Sequence, residues 1–140
     1  MKKDLSASVL ARLLNLSKQR GEDHSLLLNR FALERLLYRV GISRHAQQFL
    51  LKGALLFTLW YDDPHRPTRD ADLLGFGPDD DASLVATFRE LADMALDDGI
   101  VFDATSVRAS SIREDNSYGG TRIHLTAHIG PARCVLQIDI

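Results

Sequence analysis

Apolar residues recur at helical spacing from the start of the chain. Leu5, Val9, Leu13 and Leu16, with Leu10 and Leu14 beside them, predict an amphipathic helix over residues 5–18, and Gly21 stops it. Asp23 or Ser25 can cap a second helix, whose apolar positions include Leu27, Phe31, Leu33, Leu36 and Leu37 and which ends at Gly41. Ser43 opens a short helical or turn segment. Phe49-Leu50-Leu51 reads as a short buried strand, broken by Gly53. Ala54 to Tyr61 then reads as a short apolar helix. Two prolines among polar residues make 62–69 a loop. Asp70 to Phe76 reads as a strand, Gly77 to Asp81 as a turn ending in a helix cap, and Ser83 to Asp98 as an amphipathic helix with Leu84, Phe88, Leu91 and Ala95 in register. Gly99 stops that helix. Three strands follow near 101–113, 121–129 and 133–140, with Asn116 to Gly120 as the turn between the first two. This order predicts an α/β or α+β domain, a small mixed sheet flanked by helices.

Length changes this picture little. The 140 residues fit a single domain over 1–140, with a helical N-terminal part over 1–45 and a core over 46–140. The one cysteine, Cys134, excludes a disulfide scaffold and a multi-cysteine zinc site. No apolar run reaches the length of a membrane span, and the N-terminus lacks a signal-peptide pattern, so the expectation is a cytoplasmic protein without a membrane partner. The net charge of −2 conceals an asymmetry: residues 1–61 carry 10 Lys and Arg against 4 Asp and Glu, and residues 62–140 carry 7 against 15. A basic half suits an anionic partner and an acidic half suits a hard cation, while solvated helix faces explain the same charges with no partner at all.

The acidic half contains the sharpest local feature, Arg69-Asp70-Ala71-Asp72-Leu73. On a strand, residues two apart share a face, so Asp70 and Asp72 would project together while Ala71 and Leu73 face the core. Adjacent carboxylates repel each other, and a divalent cation between them removes the penalty. The triplet alone is weak, because 15 Asp make it recur; Asp79-Asp80-Asp81 is a second case and reads as a turn and helix cap. On the last strand, Ala132, Cys134, Leu136, Ile138 and Ile140 form one apolar face, and Asp139 lies on the other. If the two strands are neighbours, Asp139 joins Asp70 and Asp72 in a two-metal site for phosphoryl chemistry. Taken alone, Asp139 reads more simply as an exposed acid at a chain end. Lys52-Gly53-Ala54 sits at a strand-to-helix junction, where free backbone N–H groups suit a phosphate, although a simple helix start has the same appearance.

These pieces occur in one order. Phe49 to Ala54 is followed by Arg66-Pro67-Thr68-Arg69-Asp70-Ala71-Asp72-Leu73, then Ser111-Ile112-Arg113-Glu114-Asp115, Tyr118-Gly119-Gly120-Thr121-Arg122 and Leu136-Gln137-Ile138-Asp139-Ile140. From about residue 47 onward the chain resembles the AbiEii/AbiGii-type nucleotidyltransferase toxins of the DNA polymerase β-like superfamily. The resemblance implies a nucleotidyltransferase-like fold. It implies that Gly53 and Ala54 hold the nucleoside triphosphate, that Lys52 and Arg69 touch its phosphates, and that Asp70, Asp72 and Asp139 bind Mg²⁺ or Mn²⁺, with Asp139 also activating the attacking hydroxyl. It implies transfer of a nucleotide monophosphate from an NTP to an RNA acceptor such as tRNA, and a cognate antitoxin protein as partner. Ala54 stands where the family usually has a second glycine or serine. The chain stops one residue after Asp139, where family members continue into a helical region, so the alternative reading is a catalytically weak core that binds only nucleotide or antitoxin. A metal-dependent nuclease using the same acids is a third reading.

Other residues carry less. His124 and His128 share an outward strand face without partners for zinc, and read as solvated. His65 reads as a loop residue, Trp60 and Tyr61 as core or rim, and Cys134 as a small buried hydrophobe. Arg30, Arg35, Arg39 and Arg44 supply the basic half and suit RNA phosphates, an acidic antitoxin or plain solvent.

Overall fold

A computed structural model describes residues 5–52, 70–75, 80–112 and 120–140; for residues 50–52, 70–72 and 74 the description is of the backbone alone. The expected helix over 54–61, the loop over 62–69 and the turn over 116–119 lie outside the described residues. So do Gly53, Ala54 and Arg69 of the expected site, together with Trp60, Tyr61 and His65.

Two helices open the chain, α1 (Leu5–Arg20) and α2 (His24–Ile42). Gly21 adopts a positive φ of 65° between them, a conformation glycine takes without steric cost. Asp23 is the residue that caps α2, its carboxylate accepting from the Ser25 backbone N–H. Gly41 does not end α2; the helix runs on to Ile42, and Ser43 turns the chain out. A single 3₁₀ turn (Ala46–Gln48) leads into β1 (Phe49–Lys52). After β2 (Asp70–Gly75) comes α3 (Asp81–Ala92), then β3 (Val101–Ile112), β4 (Gly120–Ile129) and β5 (Ala132–Asp139). The helix expected as far as Asp98 stops at Ala92; beyond it, Met94 O and the Asp98 carboxylate accept from Arg39 of α2.

The strands form one mixed sheet in the order β1-β2-β5-β4-β3, with β2 and β5 parallel and the other pairs antiparallel. One face is apolar. Leu73, Phe102, Val107, Ile123, Leu125, Ala127, Ile129, Cys134, Leu136 and Ile138 are buried there against Leu33 and Leu36 of α2 and Leu84, Phe88 and Leu91 of α3. Alternation puts polar residues on the other face, which no described helix covers. α1 contributes no fully buried residue and lies on the outside of this core.

A bulge interrupts β3 between Asp103 and Arg108. Asp103 accepts from the Thr105 N–H, and the Ser106 hydroxyl accepts from the Thr126 N–H, so the displaced backbone keeps its partners. The bulge changes which parity faces inward: Phe102 is buried before it and Val107 after it.

Candidate active site

Two parallel strands at the centre of the sheet bring the acids together. β2 and β5 pair with Asp70 opposite Gln137, Ala71 opposite Ile138 and Asp72 opposite Asp139. Leu73 and Ile138 are buried, so the pleat assigns positions 70, 72, 137 and 139 to the opposite, polar face. Asp139 is therefore not an isolated acid at a chain end. Its strand lies between β2 and β4, and Ile140 continues the ladder through two backbone hydrogen bonds with Thr121.

Register extends this row to both sides. Lys52 on β1 is the Cα partner of Asp72, and Arg122 on β4 is the Cα partner of Asp139. A single line across four strands thus carries lysine, aspartate, aspartate and arginine. Arg122 donates from Nε to Asp139 Oδ1 at 2.8 Å and from a terminal nitrogen to Oδ2 at 3.0 Å. Both side chains are partly exposed, so the pair stands at a water-accessible surface.

Arg122 had no role assigned from the sequence alone. Its signal is the tight turn between Ile129 and Ala132. Gly130, with φ of 57°, and Pro131 fit the first and second central positions of a type II′ hairpin turn. Counting back along both strands from that turn places Arg122 opposite Asp139.

The donor set suits a hard divalent cation, which takes carboxylate oxygens. The positions that would supply them, 70, 72 and 139, meet on the polar face of adjacent strands. Among the described side chains no three His, Cys, Asp or Glu stand together, Asp139 being the only one of the three acids whose side chain is described.

The remaining candidates sort themselves by burial. His124 accepts or donates through Nε2 with the Ser110 hydroxyl at 3.2 Å, and His128 is exposed on the same polar face. Arg108 and Arg133 are exposed there as well. Cys134 is buried in the apolar face, and burial pushes its thiol up from the ordinary value, which leaves it unreactive. Four arginines of the basic half are engaged within the chain: Arg35 and Arg39 with Asp98, Arg30 with Glu34, and Arg44 with Glu90. His45 also bonds Glu90, and these hydrogen bonds, His45 first and then Arg44, hold that carboxyl below the usual carboxylate range. Asp80 caps α3 by accepting from the Ser83 N–H, so the second Asp-rich triplet does supply a helix cap.

No described helix is long and apolar enough to cross a membrane. The family model for the nucleotidyl transferase AbiEii toxin of type IV toxin–antitoxin systems matches residues 35–140, from within α2 through the last strand. A comparison with curated proteins finds none that matches.

Proposed function

From a chain that belongs to the AbiEii nucleotidyl transferase toxin family of type IV toxin–antitoxin systems, we propose a metal-dependent transfer of a nucleotide monophosphate from an NTP to an RNA acceptor such as tRNA. The observation that carries this reading is the parallel pairing of β2 with β5, which sets Asp72 opposite Asp139 on the polar face of the sheet.

In this reading Asp70, Asp72 and Asp139 hold Mg²⁺ or Mn²⁺, which when bound supplies positive charge to the phosphoryl oxygens. Lys52, Gly53, Ala54 and Arg69 bind the triphosphate, the glycine by admitting a phosphate close to the backbone. Lys52 is the Cα partner of Asp72, and this supports the reading of Lys52. Asp139 accepts a hydrogen bond from the acceptor hydroxyl and takes its proton. The hydroxyl oxygen forms a bond to the α-phosphorus, the bond from that phosphorus to the bridging oxygen breaks, and pyrophosphate leaves. Chemistry of this kind depends chiefly on positioning and electrostatics. The polar sheet face, with Arg108 and Arg133 exposed, offers cations to the acceptor's phosphates. The cognate antitoxin is the expected protein partner, and the cytoplasm the expected compartment.

The test is to incubate the protein with each α-labelled NTP, Mg²⁺ and total tRNA, beside an Asp70→Ala/Asp72→Ala protein. Label on RNA with the original chain, lost in the variant, is expected. No label with either overturns transfer by this chain and leaves a module that binds nucleotide or antitoxin. RNA shortened in place of extended identifies a nuclease.

A further inference from the structure

Arg122 meets Asp139 as a planar fork on a planar carboxylate, two hydrogen bonds of 2.8 and 3.0 Å running in parallel. That arrangement fixes the plane of the carboxylate, which a lysine's point charge cannot do. Each carboxylate oxygen offers two lone-pair directions, so the fork occupies one on each and leaves another for a further partner. On the other side of β5, Asp139 has Asp72 as its Cα partner. Asp139 is thus flanked by a cation on one neighbouring strand and an acidic position on the other.

We propose that Arg122 is a positioning residue for Asp139: it fixes the carboxylate for the acceptor hydroxyl and, as a resident cation, lowers the affinity of the acidic site for a divalent metal ion. The proposal rests on the reading of Asp70, Asp72 and Asp139 given above. In the absence of a metal ion the guanidinium charge offsets repulsion among the acidic positions. The same positive charge opposes an incoming divalent cation.

The two effects have opposite signs when Arg122 is removed. Loss of its charge strengthens cation binding, and loss of its fork lets the carboxylate rotate and slows transfer. An arginine that merely supported the fold would weaken both together.

The test is Mn²⁺ binding to the full chain, followed by electron paramagnetic resonance without nucleotide. The proteins are the original chain, Arg122→Ala and Arg122→Lys, each checked for native circular dichroism. Arg122→Ala is expected to bind Mn²⁺ about tenfold more tightly and to transfer label more slowly. Arg122→Lys, which keeps the charge and loses the fork, is expected to bind Mn²⁺ as the original does and still to transfer more slowly. Should the alanine variant not fold, Arg122→Gln makes the same comparison. Equal or weaker Mn²⁺ binding by a folded charge-removing variant overturns this proposal alone, as does a lysine variant with the original rate. An original chain that binds no Mn²⁺ overturns the metal reading of the three acids, and this proposal with it.

Discussion

Arg39 shows how much one side chain settles. It is 1% exposed, yet each of its three guanidinium nitrogens donates, to Met94 O, Arg35 O and both oxygens of Asp98, with the guanidinium stacked 4.8 Å from the Phe102 ring centre. Breaking such a pair from one side strands a buried charge, so Asp98→Ala should destabilise the protein by about 3 kcal/mol in urea unfolding at neutral pH. Burial pushes the Asp98 carboxyl up, but the hydrogen bonds from Arg39 and Arg35 outweigh it and hold it below its ordinary value. A lowered folded value stabilises the fold above the unfolded value and ceases to do so as pH falls through the folded one. The stability gap between the original chain and Asp98→Asn should therefore be widest above about pH 4 and close below it. A gap that stays constant down to pH 2 would contradict this assignment. At the polar face, Asp72→Ala and Asp139→Ala should each lower label transfer on the order of a hundredfold or more while leaving the urea midpoint nearly unchanged. A parallel loss of stability would make these acids structural.

Among the elements, α1 is held by few contacts, and two of them fall on turns. The Ser6 hydroxyl donates to Gly99 O at 2.9 Å, and Gly130 lies against Ser6 and Leu10. Gly99 has φ of 79°, and a Cβ there would come within 2.9 Å of Val9 Cγ2 and 3.0 Å of Leu5 O. Gly99→Ala should cost about 1–3 kcal/mol, from backbone strain and from pushing α1 outward. Hydrogen exchange should show the loss concentrated in α1, with the β4 and β5 amides still protected. Uniform loss of protection would mean that α1 is part of the cooperative core. The exposure of Leu5 and Leu14 is the counterpart of this loose docking: their positions at helical spacing promise a buried stripe, and Val9, Leu10, Leu13 and Leu16 meet it only in part.

For the molecule as a whole, the sheet order matters more than any element. Placing β5 between β2 and β4 buries one face under helices and leaves the other face with both the acids and an arginine-bearing surface. If RNA crosses that surface, Arg108→Glu/Arg133→Glu should weaken RNA binding about tenfold or more, with a shallower salt dependence, and leave NTP binding unchanged. Equal RNA affinity would place the acceptor elsewhere.

Much of this was determined by the sequence. Asp72, Asp139, Leu73 and Ile138 fall on their faces by the two-residue period of a strand, which needs no tertiary information. The helices follow from their apolar spacing and from caps at Asp23 and Asp80, which are local hydrogen bonds. Three features were not legible in any local pattern. The early end of α3 at Ala92 leaves Met94 O and Asp98 bonded to Arg39, a residue distant in the chain. The bulge in β3 involves a partner from another strand, the Thr126 N–H of β4, which donates to the Ser106 hydroxyl. The meeting of Asp72 with Asp139 depends on parallel pairing between residues 67 apart, which no local pattern encodes and which the sequence pointed to only through the family resemblance. Periodicity is a property of a segment and can be read from it; strand order and long-range ion pairs are properties of the packed chain, chosen by burial of the whole apolar face at once.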